Sequence, residues 1–126
     1  MKYLLDTVTV VRHFSNSGYI GKNARKVLSM PENEFAISVV TLMEILYLSE
    51  KKRIKVNFNQ TIDLIESHPL FHVVDLNSEI LKVAAAIRFK ELHDRLIIAT
   101  AKWLKAPMIT SDRQIQKLNI VDVIWD

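Results

Sequence analysis

Lys2-Tyr3-Leu4-Leu5-Asp6-Thr7-Val8-Thr9-Val10-Val11 stands at the head of the chain, and the fold follows from how its second half is read. Residues 2–5 form an apolar run suited to a buried strand. The β-branched residues 7–11 would prolong that strand by propensity. The rest of the chain argues against this. Where strands alternate with helices in a parallel sheet, the first strand must hand over to a helix, so a helix is expected from Thr7.

That alternation can be followed outward. Tyr19–Met30 reads as a helix stopped by Pro31, and Phe35–Val40 as a second buried strand. Leu42–Lys52 has helical apolar spacing and runs into the basic stretch Lys51–Lys55. Phe58–Ser67 is a helix closed by Pro69, and Phe71–Val74 a third strand. Ser78–Glu91 carries Ile80, Val83, Ala84 and Ile87 on one stripe. Asp94–Leu104 is a more apolar helix. A strand at Pro107–Thr110, a helix at Asp112–Lys117 and a strand at Val121–Trp125 complete the pattern. The expected class is α/β, with a central, mainly parallel sheet of four to five strands flanked by helices in three layers.

The 126 residues suit one domain with one core system. Without cysteine there is no disulfide scaffold, thiolate metal site or thiol catalysis. Asp6 interrupts the apolar start too early for a signal peptide, and no run approaches the roughly 18 residues of a membrane span. A cytoplasmic protein with no membrane partner is expected. Seventeen basic residues against fourteen acidic ones give a net charge of +3. Neutralising four carboxylates with cations would raise it to +7, a balance suited to a phosphodiester substrate.

Ligands of open parallel sheets bind beyond the carboxyl ends of the strands. Asp6 follows the first strand and Asp112 follows Met108–Ser111. Glu44 lies just after the second strand, and Asp94 opens a helix. Like charges gathered at one edge repel unless a cation lies among them, and oxygen-only ligands suit Mg²⁺ or Mn²⁺. Each acid also has a structural reading. Asp6 can cap the next helix. Thr41 and Glu44 fit a capping box, as do Ser111 and Gln114, with Asp112 a first-turn acid. Asp94 suits a helix start electrostatically.

Four blocks, in order, resemble those of the PIN-domain nucleases. They are Leu4-Leu5-Asp6-Thr7, Ile37–Glu44, His93-Asp94-Arg95-Leu96-Ile97-Ile98-Ala99-Thr100-Ala101 and Ile109-Thr110-Ser111-Asp112. The likeness spans nearly the whole chain and is strongest to the VapC-type toxin ribonucleases of toxin–antitoxin pairs. It implies a single PIN-like nuclease domain over residues 1–126. It implies Asp6, Glu44, Asp94 and Asp112 as catalytic metal ligands, with Ser38, Thr41, Thr110 and Ser111 as nearby hydroxyls. It further implies Mg²⁺, or Mn²⁺, as cofactor, RNA as substrate, a homodimer and a small antitoxin partner. Ile115 stands where some relatives carry a further polar or acidic residue, so no fifth acid is expected.

Arg95 and Arg113 each follow a site acid and could meet phosphate, although a solvated first-turn arginine is the simpler expectation. Lys51–Lys55 fits either an RNA backbone track or a basic helix end. His13, His68 and His72 lack ligand spacing, and His93 is expected to pack at the start of its helix. Competing classes are a PIN-domain RNA-processing nuclease that is not a toxin, a non-catalytic binding member of the fold, and a phospho-accepting module. The last would need paired acids after the first strand and a lysine after a late one, where Asp112 stands.

Overall fold

The computed structural model describes residues 1–126. Strand β1 (Lys2–Leu5) is followed by helices α1 (Thr7–Ser15) and α2 (Lys22–Ser29). Then come β2 (Glu34–Ser38), α3 (Val39–Glu50), α4 (Phe58–Ser67), β3 (Phe71–Val74), α5 (Ser78–Ala85) and α6 (Leu92–Leu104). The chain closes with β4 (Met108–Ile109), α7 (Arg113–Leu118) and β5 (Val123–Ile124). All strand pairs are parallel, in the order β3-β2-β1-β4-β5.

Topology overrides propensity at Thr7 because Asp6 caps α1. Its Oδ1 accepts the Thr9 amide at 2.9 Å, satisfying one of the donors that a helix start leaves free. The alternation of side chains along β1 then divides the core. Leu4 packs with Ala36, Ile80, Ile97 and Met108 on one face of the sheet. Leu5 packs with Phe35, Ile37, Ile65 and Ile109 on the other. Both leucines are fully buried, and truncating either to alanine should cost about 2–5 kcal/mol.

Several expected boundaries shift. Val39 and Val40 belong to α3 rather than to the second strand, because Ser38 Oγ accepts the Val40 amide at 3.0 Å and caps the helix there. Thr41 is therefore inside the helix, and the Thr41–Glu44 capping box does not form. Asp112, not Ser111, caps α7, accepting the Gln114 amide at 2.8 Å. Helix α2 starts at Lys22 rather than Tyr19, and α5 ends at Ala85, well short of Glu91. No helix is long and apolar enough to cross a membrane.

Candidate functional site

Parallel strands end together, so the residue after each strand arrives at one edge. Asp6 follows β1, the middle strand, and its amide donates to Ile109 O of β4 at 3.2 Å. Leu5 is in register with Ile37 and Ile109, which brings Ser38 and Thr110 alongside. Helix α3 leaves this edge and carries Glu44 in its second turn. Helix α6 presents Asp94 in its first turn, with Glu91 rather than Asp94 at the cap.

Glu44, Asp112 and Asp6 all come within electrostatic range of Asp94, and all four acids are half-buried. Asp94 is pushed up to about 6, first by burial and then by the charges of Glu44, Asp112 and Asp6, with Glu91 last. Asp6 is also raised, chiefly by burial with a contribution from Asp112, against hydrogen bonds from Thr110 and Thr9 that oppose the shift. Both shifts follow from charge withdrawn from water beside like charge. No basic side chain neutralises the group. The only contact of salt-bridge length in the chain joins His72 to Glu34 at 2.8 Å, elsewhere on the molecule.

Hydroxyls tie the acids down. Thr110 Oγ1 donates to Asp6 Oδ2 and accepts the Asp112 amide at 3.1 Å. Thr7 Oγ1 lies 2.6 Å from Glu44 Oε1 and 3.2 Å from Thr41 Oγ1. Thr9 Oγ1 donates to Ile109 O at 3.1 Å. Thr7 and Thr9 were not among the hydroxyls anticipated from sequence, although Thr7 stands directly after Asp6. Ser38 serves its own helix cap, and Ser111 is exposed.

No three His, Asp or Glu side chains are arranged to hold a metal as they stand. Asp6 and Asp112 each give an oxygen to a helix cap, and Glu44 turns to Thr7. The chemistry of the set nevertheless fits a hard divalent cation. It offers carboxylate oxygens only, several negative charges and no internal counter-ion.

Arg95 departs from expectation. It is half-buried rather than solvated, and its Nη2 donates to Ala84 O at 3.1 Å, closing the end of α5. Its Nε is buried without a partner. Arg113 is exposed. His93 is exposed rather than packed, and lines a cavity of about 380 Å³ with Met43, Glu44, Tyr47 and Leu48. Ile115 is buried in the core. Lys51, Lys52, Arg53 and Lys55 are exposed beyond the end of α3.

The chain is similar to several solved structures. One is VapBC2 from Rickettsia felis bound to a DNA fragment from their promoter, at 19% identity, TM-score 0.78 and 100% of each chain covered. A toxin–antitoxin complex from Klebsiella pneumoniae matches at 24% identity and TM-score 0.69, over 97% of this chain and 95% of that one. DNA-bound VapBC from Salmonella typhimurium matches at 19% identity and TM-score 0.73, over 98% and 97%. At such identities the likeness establishes a shared fold. No curated protein matches by sequence. The family model described as PIN domain matches residues 3–121, and the chain belongs to the PIN-domain family.

Proposed function

We propose that the chain is a Mg²⁺-dependent endoribonuclease of the VapC toxin type, with Asp6, Glu44, Asp94 and Asp112 as its metal ligands and Mn²⁺ as an alternative ion. The supporting observation is the gathering of four half-buried carboxylates at the carboxyl edge of the sheet with no cationic side chain paired to any of them. A divalent ion bound there would render water nucleophilic near neutral pH and offset charge on the phosphoryl oxygens. The protein's own part is positional. Thr7 orients Glu44, Thr110 orients Asp6 and links it to Asp112, and burial maintains the acids in a medium where they attract cations strongly.

Membership of the PIN-domain family and the likeness to VapBC complexes support the partners. The chain acts as a homodimer and is held inactive by a small antitoxin. An antitoxin arginine inserted among the acids would bond carboxylate bidentately. The test is cleavage of RNA by the purified chain with Mg²⁺, with chelator, and as Asp94→Asn. Activity requiring the metal and lost in the variant is expected. Full activity in chelator would overturn the reading.

A further inference from the structure

Charge is unevenly placed along the chain. Residues 7–31 hold Arg12, Lys22, Arg25 and Lys26 and no acid, while the rest of the chain holds thirteen basic and fourteen acidic residues. The net positive charge therefore resides in α1, α2 and the turn between them. A cavity of about 300 Å³ lies there, with Arg12, Asn16, Ser17, Gly18 and Arg25 in its lining and no acid. Asn16, Ser17, Gly18 and Arg25 are exposed, so the cavity is open to solvent. Helix α1 begins on Asp6, and Arg12 stands in its last turn, about 9 Å further along the helix axis. The cavity is thus set apart from the four acids.

The turn is built around Arg12. Gly18 has φ +78°, and a Cβ there would lie 3.0 Å from Arg12 Cγ and Cδ and 3.1 Å from its Nε. The arginine stem is therefore seated against bare glycine backbone. Its Nη1 donates to Tyr19 O at 2.7 Å, which orients the guanidinium plane. No carboxylate lies within salt-bridge length of Arg12 or Arg25. Asp126 is outside the lining and is engaged by the Tyr19 hydroxyl at 2.6 Å and the Lys22 amide at 3.4 Å. A cation in the last turn of α1 suits the helix dipole in any protein. Arg12, however, turns to a carbonyl of the following loop, and Arg25 sits in the middle of α2, where the dipole favours neither charge.

Resting on the ribonuclease reading above, we propose that this cavity is an exosite for one phosphate of the RNA backbone, remote from the phosphate that is cleaved. Arg12, seated on Gly18 and Tyr19, and Arg25, reaching from α2, meet the phosphate oxygens through charge-assisted hydrogen bonds. An open cavity admits a phosphate that belongs to a continuing strand. Such a contact reads no base and fixes where the strand lies. It acts equally on the bound substrate and on the transition state, so its loss raises KM and leaves kcat unchanged.

The test separates the exosite from the acids. The full chain in chelator is titrated with a dye-labelled oligoribonucleotide over a series of KCl concentrations, following anisotropy. It is titrated separately with inorganic phosphate, following the amide resonances of residues 16–20. Arg25→Ala, at an exposed position, should leave the melting temperature unchanged and weaken RNA binding about threefold to tenfold. It should also lower the salt slope by about 0.7, as for one lost phosphate contact on a single strand. Arg12→Lys, which keeps the charge but loses the planar fork, should weaken binding with little change of slope. Lys26→Ala, on α2 but outside the cavity lining, should have a clearly smaller effect. With Mg²⁺ present, Arg25→Ala should raise KM by the factor seen in binding and leave kcat unchanged. Equal effects of Arg25→Ala and Lys26→Ala would overturn the exosite in favour of a diffuse basic face. Unchanged affinity, slope and KM in Arg25→Ala, with Mg²⁺-dependent cleavage intact, would overturn the exosite and spare the nuclease reading. RNA binding that depends on Arg25 in a chain that cleaves nothing would support the phosphate contact and overturn the nuclease reading. Phosphate that shifts the turn resonances while RNA binding ignores Arg25 would overturn the backbone assignment in favour of a free phosphate.

Discussion

Thr7 donates its hydroxyl to Glu44 across 2.6 Å, linking the first turn of α1 to α3 over 37 residues of sequence. The bond fixes which way the Glu44 carboxylate faces. Outer partners of metal ligands commonly govern affinity by about 10–100-fold. Thr7→Val should therefore weaken Mg²⁺ binding or cleavage by about that factor. Its stability cost should stay near 1 kcal/mol, as for one hydrogen bond. Calorimetric Mg²⁺ titration beside a thermal melt separates the two effects.

Asp6→Asn, Glu44→Gln, Asp94→Asn and Asp112→Asn should each remove most cleavage. The exposed acids Asp63, Glu66, Asp75 and Asp122 should be replaceable without loss. Asp6 and Asp112 also cap helices. Asparagine retains a cap, whereas alanine at either position should cost about 1 kcal/mol more. Comparing Asn and Ala variants in melts and cleavage assays distinguishes the capping role from the proposed catalytic one.

Asp94 sets a pH dependence. Its folded value of about 6 exceeds its ordinary 3.8, so between those limits the folded chain binds more protons than the unfolded one. Metal-free stability should fall as pH rises through that window. Asp94→Asn should flatten this slope and raise the metal-free melting temperature near neutral pH. Protons also compete with the cation, so Mg²⁺ affinity should drop about tenfold per unit below pH 6 as one proton is displaced. Melts at pH 4, 5, 6 and 7 with and without Mg²⁺ test both signs.

His13 opposes that trend. Burial, then the charge of His68, lowers it from 6.5. It stacks on Phe71 at 5.6 Å and meets Phe14 edge-on at 5.0 Å. As pH falls below 6.5 the unfolded chain takes up the proton first. The stability associated with neutral His13 is full above 6.5 and is lost through the lower folded value. His13→Phe retains an aromatic contact and should remove this acid sensitivity, measured in the Asp94→Asn background so that the two slopes are not confounded.

Gly21→Ala should destabilise the chain by about 1–3 kcal/mol, because the added methyl meets the Trp125 carbonyl rather than a movable side chain. Urea unfolding measures it, and Trp125 emission should shift with it.

Local sequence announced what local physics decides. Phe58–Ser67 and Phe71–Val74 were legible because proline punctuation and apolar spacing agree there. The four acids were singled out from their places along the chain, and the charges of Glu44, Asp112 and Asp6 all reach Asp94. What escaped depended on distant partners. Helix α5 stops early where Arg95, contributed by α6, donates to Ala84 O, and nothing in the α5 stripe signals that. Tyr19, Ile20 and Gly21 stay outside α2, where Gly21, a weak helix former, makes room for Trp125. Val39 and Val40 have strand propensity, yet a buried serine hydroxyl starts a helix over them.

The strand order has a consequence for synthesis. β1 is made first, but its neighbour β4 comes from the far end of the chain, and Asp6 reaches Thr110 across 104 residues. A growing polypeptide lacks Asp112 and the strand that aligns Asp6 until more than a hundred further residues have followed β1. A chain interrupted before Thr110 lacks the strand and the hydroxyl that hold Asp6 in place, so the acids cannot gather until β4 and Asp112 have been made.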